Sequence, residues 1–403
     1  MSRTLRSEPF SASRILVTGA TGYVGALIVA SLLRDTNARI VCLTRAAHDR
    51  TALLAPIKEE WETQARYRWS AAVDARIEQV VLPNDLADVP NLAARLEGVD
   101  EIVHCAGCLD YYDVAKLQAV NVFYTAHLLV LAKHLKVKRF VYVSTAYSSG
   151  YQDQPTPEDL LTEPQGDPTQ YTRTKREAER LVATSHVPFV VIRPSILIGT
   201  SDTGRYSGKR YGLYQQWMGL ERLACDRYHE EFHTVAPRMP LNVLHQDSFC
   251  EAFKAAYRWI PHGAFMNLVS DPHCSPSMRD LWDMWFEVTR PARVYYYPTI
   301  DDVPMKSIHM RQRAYLTFAQ VNLEIASHHW QFETGWIQQL RDNGLRFIDT
   351  TIDTVRICQD RFVRSSDQMQ KYFSEHAHRF SQAARCIDID PAQLQQQPAI
   401  ATA

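Results

Sequence analysis

Arg14-Ile-Leu-Val-Thr-Gly-Ala-Thr-Gly-Tyr-Val-Gly25 decides the architecture. Its first half is a short apolar run without polar alternation, the pattern of a strand buried on both faces of a parallel sheet. Its second half sets glycines at 19, 22 and 25, after which Ala26 to Leu33 reads as a helix of small and aliphatic residues. Strand, glycine turn and helix start, in that order, aim backbone N–H groups at a pyrophosphate. Gly19 permits the sharp turn, Gly22 lets the backbone approach the phosphates, and Gly25 lets the helix pack on the strand. Thr21, Tyr23 and Val24 complete the candidate cradle.

Outward from this turn the pattern repeats. Arg39 to Thr44, Ile77 to Leu82, Glu101 to His104, Arg139 to Val143 and Pro188 to Ile192 read as further strands. Ala52 to Ala65, Val114 to Leu135 and Tyr171 to Ala183 read as helices between them. Strands alternating with helices at this spacing predict an α/β fold, a Rossmann-type doubly wound parallel sheet. After Pro194 the alternation fades. Residues 1–12 read as a flexible N-terminus, 13–200 as the dinucleotide-binding domain and 201–297 as a substrate region interleaved with late sheet elements. Residues 298–390 read as a smaller, mostly helical region, with helices at Ala319 to His329, Glu333 to Asp342 and Gln368 to Ala377. Residues 391–403 read as a flexible tail.

A second motif stands about 150 residues downstream of the first, Tyr171-Thr-Arg-Thr-Lys175. Tyrosine and lysine at i, i+4 share a helix face. An ammonium and an oxidised nicotinamide beside a phenol favour the phenolate, giving an acid that can release a proton near neutral pH. Lys175 would also hold the nicotinamide ribose. A third group should hydrogen-bond the substrate oxygen, and Ser144-Thr145 follows the fifth strand. The second strand ends Cys42-Leu-Thr-Arg45 with no acid to bond a ribose 2′-hydroxyl. An arginine there pairs with a 2′-phosphate, so the residues favour NADP(H), read by Arg45.

Composition narrows the class. The chain has 403 residues, 46% hydrophobic and 22% charged, with net charge −1. No broad basic field is available for a nucleic-acid backbone. No stretch reaches the roughly 18 uninterrupted apolar residues of a membrane span. Peripheral membrane contact stays open. Eight scattered cysteines form no disulfide framework, which predicts a reducing cytoplasm.

The glycine spacing, with the tyrosine–lysine pair, resembles the extended branch of the short-chain dehydrogenase/reductase superfamily. The resemblance implies that Asp85-Leu86 contacts the adenine and that His104-Cys-Ala-Gly107 forms the turn beside the nicotinamide ribose, through Ala106 and Gly107. It makes Asn121 a structural residue, and sets Pro194, Ser195 and Ile196 after the sixth strand against the carboxamide. It places the catalytic hydroxyl at Thr145, with Ser144 as the alternative.

Within the superfamily, several stretches are similar to acyl-thioester reductases, which include fatty acyl-CoA reductases and domains that release chains from carrier proteins. These are Val41 to Ala46, the helical spacer His48 to Arg76, Asp110-Tyr-Tyr-Asp113 through Val122, Phe140 to Tyr147, Arg193 to Gly204 and Pro240 to Asp247. The resemblance covers about residues 12 to 275. Asn84 departs from the usual glycine, and Leu244-His-Gln246 from the usual valine and proline. The implied activity is hydride transfer from NADPH to an acyl thioester, on coenzyme A or a carrier protein, giving an aldehyde and in a second step an alcohol. Acyl length, endpoint and oligomeric state stay open.

Two enzyme alternatives share these residues: a ketone or alcohol dehydrogenase of the hydroxysteroid kind, and a nucleotide-sugar epimerase or dehydratase with Arg205, Lys209 and Arg210 as its nucleotide clamp. A non-catalytic dinucleotide sensor is a third, which the presence of both Tyr171 and Lys175 disfavours. His229-Glu-Glu-Phe-His233 has the spacing that on a helix places two zinc ligands on one face. It lies inside the substrate region and lacks the extended pattern, so no metal site is expected. Cys105-Ala-Gly-Cys108 reads as small packing residues rather than a redox pair.

Overall fold

The computed structural model describes residues 3–45, 49–65, 68–111, 113–208, 211–225, 231–378 and 382–390. Its strands are β1 (Arg14–Thr18), β2 (Arg39–Thr44), β3 (Ile77–Val81), β4 (Glu101–His104), β5 (Arg139–Val143), β6 (Phe189–Pro194), β7 (Ile196–Ile198), β8 (Glu231–Val235), β9 (Val243–His245), β10 (Ala264–Leu268), β11 (Arg293–Tyr297) and β12 (Arg385–Asp388). Seven of them form one parallel sheet in the order β10-β6-β5-β4-β1-β2-β3. The order reverses between β1 and β4, so their carboxyl ends open a crevice, the place where such sheets bind ligands.

Helices cover both faces, as continuous apolar strands require. Ile15 and Val17 pack on one face with the helices Tyr23–Asp35 and Gln246–Trp259. Leu16 packs on the other with Tyr124–Leu135 and Gln170–Thr184. The helical stretch Val114–Leu135 is long and apolar enough, by length and composition, to cross a membrane. Here it is a sheet-covering helix, with Leu117, Leu128 and Leu131 fully buried.

A second core lies beyond the sheet, built on Trp217, Trp282 and Trp285. The helices Leu213–Cys225, Met278–Thr289, Met310–Ser327, Ile352–Ser365 and Asp367–Glu375 surround it. A parallel three-stranded sheet, β12-β11-β8, joins these helices, and none of its strands is among those the sequence pattern indicates. The helix expected from Ala319 starts earlier, at Met310, and Ile352–Ser365 is a further helix beyond those expected.

The expectation of a flexible N-terminus needs correction for residues 3–10. Phe10 is buried, and Arg6 and Phe10 donate backbone hydrogen bonds to Trp259 and Arg258. Arg3 pairs with Glu158 and Glu333. An aromatic ring under the sheet end and an arginine between two carboxylates hold a segment that composition alone reads as loose. The tail at 391–403 lies outside the described residues.

Candidate active site

The turn after β1 is shaped as its glycines require. Gly19 has φ +76°, and a Cβ there would stand 2.7 Å from the Ala106 nitrogen on the neighbouring β4 loop. A Cβ on Gly25 would stand 2.1 Å from the Gly19 carbonyl oxygen. The helix therefore rests directly on the turn, and any side chain at 25 would lift it off. Gly22 is the N-cap and makes no side-chain cap hydrogen bond, which leaves the first-turn amides available to a phosphate. Thr21, Tyr23 and Val24 flank this opening and are partly exposed. The Tyr23 hydroxyl donates to Gln246 Oε1 at 2.9 Å, tying the turn to the segment after β9.

The β4 side of the crevice is locked to β1. His104 lies between Thr18 Oγ1 (2.7 Å from Nδ1) and Thr125 Oγ1 (2.9 Å from Nε2). Burial, and next the Lys175 charge, hold its pKa well below the usual range. His104 is thus a neutral core residue, not a base. The Ala106 amide donates to Thr18 Oγ1, and Asn121 clasps the backbone N–H and C=O of Cys108 while donating to Thr174 Oγ1 at 2.9 Å. That clasp ties the Ala106–Gly107 turn to the helix carrying Tyr171 and Lys175. Cys105 and Cys108 are unpaired, and burial pushes the Cys105 thiol up to about 12, which suits packing rather than redox exchange.

Thr169 caps the helix Gln170–Thr184 in a reciprocal box with Thr172, which fixes where Tyr171 begins its first turn. Lys175 is buried, and its Nζ donates to Val143 O at 2.8 Å with the Tyr142 ring 4.2 Å away. The expectation of a lowered phenol joined the Lys175 ammonium to an oxidised nicotinamide; of the two the chain itself supplies Lys175, which is not among the influences on the phenol. Burial raises the Tyr171 phenol, with Tyr111, Cys105 and Cys108 as lesser causes, so Tyr171 is a neutral phenol at pH 7.

Burial also moves Lys175 down from 10.5 to about 8. The folded chain therefore holds this proton less tightly than the unfolded chain. The resulting cost to stability is full below about 8 and is relieved as pH rises to 10.5. Lys175→Met is expected to abolish that rise. Melting temperatures of both proteins at roughly pH 7 and pH 10 measure the difference.

The two candidate hydroxyls are now distinguishable. Ser144 donates to the buried Glu179 carboxylate. Thr145, at the head of the short helix Ala146–Ser149, accepts from the Tyr147 amide at 3.4 Å, and no described residue takes its proton. Glu179 is the residue that sequence reasoning missed. It lies one turn beyond Lys175 on the same helix and accepts from Ser144, Ser148 and Arg193. The signal was its i, i+4 relation to Lys175, submerged in a run of mixed charge. Arg193 is fully buried against Glu179 at 2.7 Å. Of the segment after it, Pro194 closes β6 and Ile196 opens β7, while the buried Ser195 Oγ has no hydrogen-bond partner among the described residues.

Arg45 is exposed at the end of β2. Asp85 is exposed and caps the short helix Leu86–Leu92 by accepting from Ala87 N at 2.9 Å. The open first-turn amides, the glycine cradle and the orphaned Ser195 hydroxyl fit a dinucleotide lying from the β1 turn to the end of β6. Other expectations fall elsewhere. Arg205 of the nucleotide clamp is paired with Glu59 and Glu60, while Lys209 and Arg210 lie outside the described residues. His229 and Glu230 also lie outside them, and His233 stands on strand β8 with Tyr297 Oη 2.9 Å from its Nδ1. No group of potential metal ligands occurs among the described residues.

Known proteins share this arrangement. A family profile described as male sterility protein matches residues 17–251. A linear gramicidin synthase of Brevibacillus parabrevis is 30% identical over 219 residues, 49% of this chain and 4% of that protein. The chain thus matches a small part of that synthase's length. Among solved structures, the terminal R domain of the myxalamid PKS-NRPS biosynthetic pathway superposes with TM-score 0.65 at 21% identity, covering 88% of this chain and 91% of that one. A thiolation-reductase di-domain of an archaeal non-ribosomal peptide synthetase superposes with TM-score 0.62 at 16% identity, covering 93% and 92%. At these identities the two structures establish the fold.

Proposed function

The chain belongs to the male sterility protein family and is an NAD(P)-dependent oxidoreductase of the extended short-chain dehydrogenase/reductase superfamily, and from that membership we propose that it reduces acyl thioesters with NADPH to aldehydes. One observation carries the reading. A half-buried, protonated Tyr171 beside the Cys105–Cys108 turn is accompanied by Thr145, whose hydroxyl proton no described residue accepts. A reduction starts from a proton donor, and burial keeps Tyr171 in that state at neutral pH. The stretches that resemble acyl-thioester reductases, together with the likeness to a thiolation-reductase di-domain, support a thioester as the substrate.

When bound, the nicotinamide supplies the hydride. Thr145 and Tyr171 hydrogen-bond the carbonyl oxygen as it becomes negative, and Tyr171 gives up its proton to it. The carbon–sulfur bond of the hemithioacetal then breaks, the sulfur leaves as the thiol, and the carbonyl re-forms as an aldehyde. A second round on the aldehyde gives an alcohol. Lys175, anchored at Val143 O, would hold the ribose hydroxyls. The Gly19–Gly25 turn holds the pyrophosphate, Ser195 the carboxamide, Asp85 and Leu86 the adenine, and Arg45 the 2′-phosphate. The unpaired cysteines are in keeping with a cytoplasmic location.

The test is cofactor oxidation, with NADPH and NADH in parallel, against acyl-CoAs and acyl carrier proteins, with products identified by mass spectrometry. Aldehyde or alcohol is expected with NADPH. Arg45→Ala is expected to raise the KM for NADPH about tenfold and leave that for NADH nearly unchanged. NADPH binding without turnover of any thioester sinks the proposal and directs the search to ketones, alcohols and nucleotide sugars.

A further inference from the structure

Proton transfer needs one tyrosine, but Tyr171 heads a row of them. The Tyr111 ring lies 5.9 Å from the Tyr171 ring at 47°. Tyr111 is also within electrostatic reach of Tyr211, whose backbone hydrogen-bonds the Tyr206 hydroxyl. Tyr206 stacks on Tyr214 at 3.8 Å and meets Tyr23 edge-on at 5.0 Å. The row thus runs from the proton donor to the helix that opens the dinucleotide turn. Its members come from the β1 turn, the loop after β4, the helix of Tyr171 and the segment after β7, so only the folded chain assembles it.

The two members nearest Tyr171 remain open to a ligand. Tyr111 is 39% exposed and Tyr211 is 47% exposed, with Leu109, close to Tyr111 in sequence, at 44%. Burial nevertheless raises the Tyr111 phenol, as expected for a ring in a recess rather than on open surface. The other influence on it is Tyr211. Aromatic walls of this kind bind apolar groups through area and edge contacts and disfavour charged ones, which would lose hydration without a partner.

We propose that Tyr111 and Tyr211 form the acyl subsite, gripping an uncharged, apolar acyl group whose carbonyl lies at Tyr171. This rests on the thioester reading above and adds the substrate class. It also predicts that selectivity lies in the acyl half of the substrate rather than the thiol half.

The full chain with NADPH is assayed on N-acetylcysteamine thioesters of acetate, hexanoate, phenylacetate and succinate, all with the same thiol. Hexanoyl and phenylacetyl thioesters are expected to exceed succinyl by at least about tenfold in kcat/KM. Tyr111→Ala and Tyr211→Ala are each expected to reduce that preference about tenfold, while Tyr111→Phe, which keeps the ring, retains it. Near-UV circular dichroism establishes that the variants are folded. An equal fall on all four thioesters, or an unchanged preference, overturns the subsite. The matching acyl amides of N-acetylethylenediamine, which are not reduced, are titrated calorimetrically on the NADPH complex. Their ranking and its loss in the variants judge the subsite even if no thioester turns over, a result that would count against the thioester reading alone.

Discussion

Tyr171→Phe is expected to lower kcat by about 10²–10⁴ while the Kd for NADPH stays within about threefold. The oxygen removed is the proposed proton donor, and the ring that remains keeps its contact with Tyr111. No described residue hydrogen-bonds the Tyr171 hydroxyl, so its loss orphans nothing, and thermal stability should be unchanged. Lys175 stays anchored at Val143 O in the variant, which preserves the contribution to cofactor binding proposed for it. Single-turnover reduction and fluorescence titration with NADPH separate the two quantities. Undiminished turnover would remove Tyr171 from the chemistry and leave Thr145 without a partner in it.

The largest effect on stability is expected from Glu179→Ala, at about 3–5 kcal/mol. Glu179 and Arg193 are both fully buried, so deleting the carboxylate leaves a guanidinium in the core with its charge unmatched. It also strips Ser144 of its acceptor and leaves Ser148 with Thr145 O alone, in the loop that presents Thr145. Activity should therefore fall along with stability. Glu179→Leu combined with Arg193→Met should recover much of the stability, because two apolar groups of similar volume leave no buried charge. Urea denaturation followed by tryptophan fluorescence ranks the three proteins. A single variant as stable as the parent would mean that solvent reaches Arg193.

The local parts of this design are written in consecutive residues. Three glycines at 19, 22 and 25 between an apolar run and a helix admit one backbone solution, because the close approaches at Gly19 and Gly25 exclude any Cβ. Tyr171 and Lys175 need only helix geometry to share a face. Strand and helix alternation as far as Pro194 sets the doubly wound sheet by the handedness and burial rules that govern parallel strands. What fell outside that reading depends on partners far away in the chain. Strands β8, β11 and β12 are short, and each finds its neighbour at least 62 residues away, β8 to β11 from Glu231 to Arg293, so no local period announces their sheet.

By itself, then, the sequence determined the cradle, the succession of strands and helices as far as the sixth strand, and the tyrosine–lysine pair, since each is a matter of steric limits and periodicity within one or two elements. Tertiary structure alone decided which of Ser144 and Thr145 is available, because that depends on Glu179 reaching back from another element. It decided that the chain's own groups raise the Tyr171 phenol, because desolvation is a property of the packed interior. It also decided that residues 3–10 are held and that tyrosines from separate segments form one wall, because burial and proximity arise only when distant segments compete for the same space.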